Sequence, residues 1–175
     1  MSFLSSIRLL ILSIWLGGSV FFVAAAQAAF AVLADRELAG AVVGRNLSIM
    51  NYAGMAIALI LILTSALGAS NVRTVWLWVE RVLLLLLGLA CVAGQFVIGY
   101  WISSVRSQIS GPVTDLAAED PMRVQFNLLH QYSEWVFMAA MIAALAAFLV
   151  IANRKPRAVN ATTPDPFDFS KEFKT

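Results

Sequence analysis

The sequence predicts an all-α fold, an integral membrane four-helix transmembrane bundle, and three observations carry that prediction. The chain is 61% hydrophobic and 13% charged, whereas a soluble domain is nearer 45–50% apolar and about 25% charged. Its charges are segregated: none falls in 9–34, 46–72, 82–105 or 135–153. Each stretch matches or exceeds the roughly 20 residues that cross a hydrocarbon core. The apolar runs are also continuous rather than alternating. Backbone groups in lipid must be satisfied internally, so these runs indicate helices and not a barrel.

The membrane domain is predicted over 1–153, with spans at about 8–33, 47–69, 75–103 and 124–152. Span one ends in water at Asp35-Arg36-Glu37. Ala24 to Ala28 supplies small residues at a cleavage-like spacing, but the charge-free stretch is far longer than a signal peptide's roughly 7–15-residue apolar region. It therefore reads as a span. A short connector to about Arg45 contains Gly40 and Gly44, a GxxxG outside the apolar runs and so no dimer motif. Gly68-Ala69-Ser70-Asn71 makes a tight turn after span two. Trp76 and Trp78 open span three, and Tyr100 with Trp101 mark its far end, an aromatic belt at each interface. The sizeable loop from Ser103 to Val124 is broken at Gly111-Pro112 and Asp120-Pro121. Thr114 to Ala118 is predicted as a short interfacial helix. Asp120 would cap the fourth helix, which starts at Pro121. From 154 to 175 the chain is rich in Pro, Thr and Asp and reads as a flexible cytoplasmic tail.

With four spans both termini share one side. That side would carry Arg8, Arg73, Arg81, Arg154, Lys155 and Arg157, against Arg36, Arg45, Arg106 and Arg123 on the other. Six basic residues against four favour cytoplasmic termini. The net charge of +2 gives no reason to expect a nucleic-acid partner. Cys91 stands alone, so no intramolecular disulfide forms, and it reads as a small buried apolar residue.

Apolar helices do not attract one another hydrophobically inside lipid, so small and polar residues should define the packing. Helical spacing predicts interior stripes at Gly17, Ala24 and Gln27; at Asn51, Gly54, Ala58 and Ser65; at Gly88, Cys91, Gln95 and Gly99; and at Asn127, His130, Glu134, Met138 and Met141. Because the spans alternate direction, Gln27, Asn51, Gln95, His130 and Glu134 fall at one depth, on the order of 5–12 Å below one surface. They form a candidate polar cluster in a single leaflet, with Arg45 near enough to reach Glu134. Its plain reading is interhelical hydrogen bonding; its sharper one is a shallow binding or proton-responsive pocket. Toward the other face, Glu80 sits two turns into span three and needs a partner, for which Arg8 of span one is the candidate.

One histidine and one cysteine argue against a bis-histidine haem or a zinc site. His130, Met138 and Met141 share a stripe that copper(I) would accept, but methionine is common apolar filler. No nucleotide, serine-hydrolase or HExxH motif appears, and Ser133 with His130 makes no triad. These residues predict no metal, no cofactor and no enzyme.

Trp15-Leu16-Gly17-Gly18 with Phe21-Phe22, then Arg36-Glu37-Leu38-Ala39-Gly40 and Val43-Gly44, resembles the opening half of the bacterial transmembrane-protein-205-like family, domain of unknown function 4149. Arg123, Phe126, Leu129-His130 and Ser133 are similar to its R-x-x-F-x-x-L-H-x-x-S pattern, so the likeness runs from about Ile7 to Ala152. An Asn common in the family a few residues later is replaced here by Val136-Phe137. The resemblance implies four transmembrane helices and no established activity, and the expected setting is a bacterial inner membrane. Two readings follow. The first is a non-enzymatic scaffold, accessory or assembly subunit in the lipid bilayer, with membrane-protein partners or a homo-oligomer. The second is a small transporter or an ion- or small-molecule-binding protein that uses the cluster around His130 and Glu134.

Overall fold

A computed structural model describes residues 3–67 and 73–153. The expected turn at 68–71, the tail and the basic residues Arg154, Lys155 and Arg157 lie outside the described residues. Four rods make up the described part. Helix α1 is Phe3–Val32 and α2 is Arg36–Leu67. The third rod is α3, Thr74–Val92, continued by a π-helical stretch, Ala93–Ile98, and by α4, Gly99–Ser107. A short 3-10 turn, Val113–Asp115, precedes α5, Pro121–Asn153. All four rods are long and apolar enough to cross a membrane.

Helix α2 begins eleven residues before its apolar run, at Arg36 rather than 47, so the connector from α1 is only 33–35. The reason is Asp35, whose Oδ1 accepts the backbone N–H of Glu37 at 2.8 Å and of Leu38 at 3.1 Å. Such a cap satisfies two of the donors orphaned at a helix start. Asp120 does the same for α5, accepting the Met122 N–H at 2.8 Å, with Pro121 in the first position. The expected helix over Thr114 to Ala118 is instead the single turn Val113–Asp115.

The helices pack as a ring in which α1 touches α2 and α5, and α3 touches α2 and α5. The core is a column of Leu12, Trp15, Ala58, Leu61, Leu84, Leu87, Phe137 and the alanines of α5. On α5 the inward residues are Leu129, Ser133, Phe137, Ala140, Ala144, Ala147 and Ile151. Small residues let helices approach closely without hydrophobic drive, and here they place α3 against α5. Part of the predicted α5 stripe is therefore turned outward: Glu134 and Met138 are exposed, while His130 is half-buried and Met141 packs against the core. Large apolar side chains such as Phe21, Leu63, Leu89, Trp135 and Ile142 cover the outside, a surface suited to lipid and not to water.

One feature breaks the regularity of the third rod. The Gly99 N–H bonds back to the Gly94 carbonyl, five residues earlier. A turn of that kind inserts one residue, so α4 is rotated by about 100° relative to a straight continuation of α3. Beyond it, Val105 and Ile109 pack on Leu129 of α5, and the Arg106–Glu37 ion pair ties α4 to α2. The bundle is consequently open in its middle at the end carrying the 108–120 loop.

Candidate functional site: a cavity at the loop end

The opening is a cavity of about 740 Å³, within the range of small-molecule sites. From α2 it is lined by Arg36, Glu37, Gly40, Gly44, Leu47, Ser48 and Asn51. Spacings of three and four residues put these on one face. A Cβ added at Gly40 or Gly44 would meet nothing within 4 Å, so the GxxxG seats no helix; its missing side chains are part of the hollow. The π turn and α4 bring Gly94, Gln95, Gly99, Ile102, Ser103 and Arg106. Helix α5 brings Arg123, Phe126, Asn127, His130 and Ser133, the loop Val113 and Thr114, and α1 Phe30.

At the mouth, Arg106 Nη2 lies 2.6 Å from Glu37 Oε2. The other carboxylate oxygen accepts the Val113 N–H at 3.1 Å. Arg106 also donates to the Ile109 carbonyl at 3.1 Å, and Arg123 to that of Leu116 at 2.7 Å. Glu37 thereby ties α2 to both α4 and the loop.

Deeper, the polar groups are left unsatisfied. Asn51 is 4% exposed, and its amide makes no hydrogen bond with any described residue. It packs beside Gly94, where an added Cβ would stand 3.3 Å from Nδ2. His130 stacks on Phe126, ring centroids 6.0 Å apart and planes at 15°. Its Nδ1 is buried and has no hydrogen-bond partner among the described residues. Buried polar groups are ordinarily paired; Asn51 lines the cavity without a partner, and His130 Nδ1 is enclosed by protein. Below Asn51 the bundle closes. Trp15 Nε1 donates to the Met50 carbonyl at 3.1 Å. The Trp15 ring and the Cys91 sulfur fill the space over Gly54, where a Cβ would be 2.5 Å from Sγ.

Of the five residues grouped from the sequence, Asn51, Gln95 and His130 line this cavity. Gln27 is exposed on α1 and does not. Glu134 also lies outside it, exposed in a shallow outer groove of α5 with Val124, Leu128, Gln131 and the far sides of Asn127 and His130. Arg45 is likewise exposed and forms no ion pair with Glu134. Arg36, Glu37, Arg106 and Arg123, set aside in the sequence as connector and loop charges, line the mouth. The usable signal was the Asp35 cap, which carries Arg36 and Glu37 into the helix.

The second buried polar centre stands at the opposite end. Arg8 and Glu80 meet at 2.5 Å with 2% and 0% of their side chains exposed. Arg8 also donates to the Leu61 carbonyl at 2.7 Å. Next to it, Arg81 Nε donates to Ser65 Oγ at 2.9 Å, and Ser65 to the Ile62 carbonyl at 2.7 Å. One end is clasped by charges; the other is hollow.

Fold and site together define a multi-pass integral membrane bundle with a cavity that has charges at its mouth and largely apolar walls. A family model, domain of unknown function DUF4149, matches residues 10–110. That is more than half of the chain, which belongs to this family. The match takes in α1, α2 and the third rod and ends before the Arg123–Ser133 segment of α5. No curated protein and no solved structure matches the chain.

Proposed function

We propose that this protein is a non-enzymatic membrane protein that holds a small molecule in its loop-end cavity. The observation that carries the reading is Asn51, a buried amide with no hydrogen-bond partner among the described residues, lining about 740 Å³ of space. A purely structural cluster would bond this amide and leave no room. Packing the cavity with a leucine at position 44 tests this, because a Cβ there meets nothing within 4 Å. Native purification in mild detergent with mass spectrometry should find a small molecule retained by the wild type and lost from Gly44→Leu. Retention of nothing, or retention unaffected by the substitution, would refute the proposal.

A second reading, a scaffold or accessory subunit, is favoured by one observation, the exposed carboxyl of Glu134 on the outer face of α5, within an apolar run of the sequence. A charge at a lipid-facing position is costly and invites a polar partner from another chain. Co-purification of a partner through Glu134, and its loss in Glu134→Gln, would support it. For either role we place the protein in a bacterial inner membrane with both termini cytoplasmic, within the transmembrane-protein-205-like branch. The basic-residue bias and the motif around His130 support that setting.

A further inference from the structure

The lining charges narrow the guest. At the mouth stand three arginines, Arg36, Arg106 and Arg123, against one carboxylate. Glu37 is already engaged by Arg106 at one oxygen and by the Val113 N–H at the other. Asp35, Asp115, Glu119 and Asp120 belong to the same end but do not line the space. Arg123 donates one N–H to Leu116 and has no anionic partner, and Arg36 forms neither an ion pair nor a hydrogen bond with any described residue. Two guanidiniums, each with five donors, are thus left without a counter-charge at one opening. Guanidinium geometry matches carboxylate and phosphate oxygens.

Below the mouth the walls are apolar at Phe30, Leu47, Ile102 and Phe126, with Asn51 and His130 among the polar side chains that line them. A free inorganic anion would leave that volume empty of apolar contact. Asn127 and His130 line both the cavity and the outer groove of α5, so at that point a single layer of side chains separates the cavity from the lipid-facing side.

We infer that the cavity takes an anionic amphiphile, its carboxylate or phosphate head on Arg36 and Arg123 and its apolar part against Phe30, Leu47 and Phe126. This rests on the small-molecule reading above and adds the ligand's charge and polarity. The test uses the full chain in mild detergent and four probes: oleate, an oleoyl lysophosphatidate, mono-oleoylglycerol as the neutral analogue with the same tail, and inorganic phosphate as a head alone. Bound fractions are read by native mass spectrometry.

Both anionic amphiphiles should bind at least about ten-fold more tightly than mono-oleoylglycerol, the factor expected of one or two charge-assisted contacts. Preference for lysophosphatidate over oleate would point to a lipid headgroup, and the reverse to a free fatty acid. Phosphate alone should fail to compete. Arg36→Gln should reduce the preference, and Arg36→Gln/Arg123→Gln should abolish it. The Arg36 side chain forms no hydrogen bond or ion pair with any described residue, so its single variant breaks no such contact. If mono-oleoylglycerol binds as well as the anions, the inference is wrong and the small-molecule reading stands. If phosphate alone competes fully, the amphiphile is wrong and the anion site remains. If no probe binds, the inference is overturned; the native purification with Gly44→Leu then decides the wider reading separately.

Discussion

Replacing Glu80 by Gln removes one charge from the less accessible of the two ion pairs found among the described residues and keeps the side chain's size. The partners are 2% and 0% exposed, and Arg8 has in addition the Leu61 carbonyl at 2.7 Å. That carbonyl is a dipole and does not replace a counter-charge, so the variant takes from Arg8 the carboxylate it meets. Breaking one side of a buried pair costs about 3–5 kcal/mol. Because Gln retains an acceptor, the lower end applies, and Glu80→Ala should reach the upper end. For a domain of ~150 residues this corresponds to a fall in Tm of ~6–20 °C. Removing both charges in Arg8→Met/Glu80→Leu should restore most of the loss, since an apolar pair of similar volume is often neutral. The measurement is reversible unfolding in mixed micelles for the wild type, both singles and the double, closed as a double-mutant cycle. A loss below about 1 kcal/mol for Glu80→Gln, or a double variant as unstable as the sum of its singles, would show that the pair is not what holds this end together.

The two kinds of glycine on α2 should behave oppositely. Gly54→Ala forces a Cβ to 2.5 Å from Cys91 Sγ and 3.2 Å from the Trp15 ring, an overpacking of about 1–3 kcal/mol. Gly44→Ala meets nothing and should be neutral or stabilising by up to ~1 kcal/mol; equal melting temperatures for the two would contradict the packing described. Glu37→Gln should loosen the 108–120 loop, seen as faster hydrogen exchange at the Val113 amide with the unfolding midpoint little changed; unaltered exchange there would dispose of Glu37 as the tie. Cys91, 0% exposed, should resist a membrane-permeant maleimide in the folded protein and react after denaturation. Prompt labelling of the native state would mean that α2 and α3 separate.

The four rods were readable because a bilayer leaves the chain few alternatives: a charge-free stretch of sufficient length must be a helix. The inward face of α2 was readable for a related reason, since Asn51, Gly54, Ala58 and Ser65 are small or polar residues at helical spacing and all are buried. The same logic misplaced α5. There the polar residues His130 and Glu134 drew attention away from Ala140, Ala144 and Ala147, whose small size sets the approach of α3. On α1 the inward face is Ser5, Arg8, Leu12, Trp15 and Ser19, not Gly17, Ala24 and Gln27. Arg8, Trp15 and Ser19 each have partners for their polar atoms there, which the glycine and alanines do not need. Charge also hid the mouth of the cavity: Arg36 and Glu37 look like an aqueous connector until Asp35 is recognised as a cap. The π turn has no compositional signature beyond Gly94 and Gly99 at its borders.

That turn gives the third rod two reading frames. Residues up to Cys91 are read against α2 and α5 in one register, and Val105 and Ile109 are read against Leu129 in another. The shift between them is the width of a single amino acid. Deleting one residue between 93 and 98 would return the rod to one frame, without altering its hydropathy enough for any span assignment to notice. It would swing Val105 off Leu129 and Arg106 away from Glu37. By this account the hollow end exists because the chain is one letter longer than a straight helix needs.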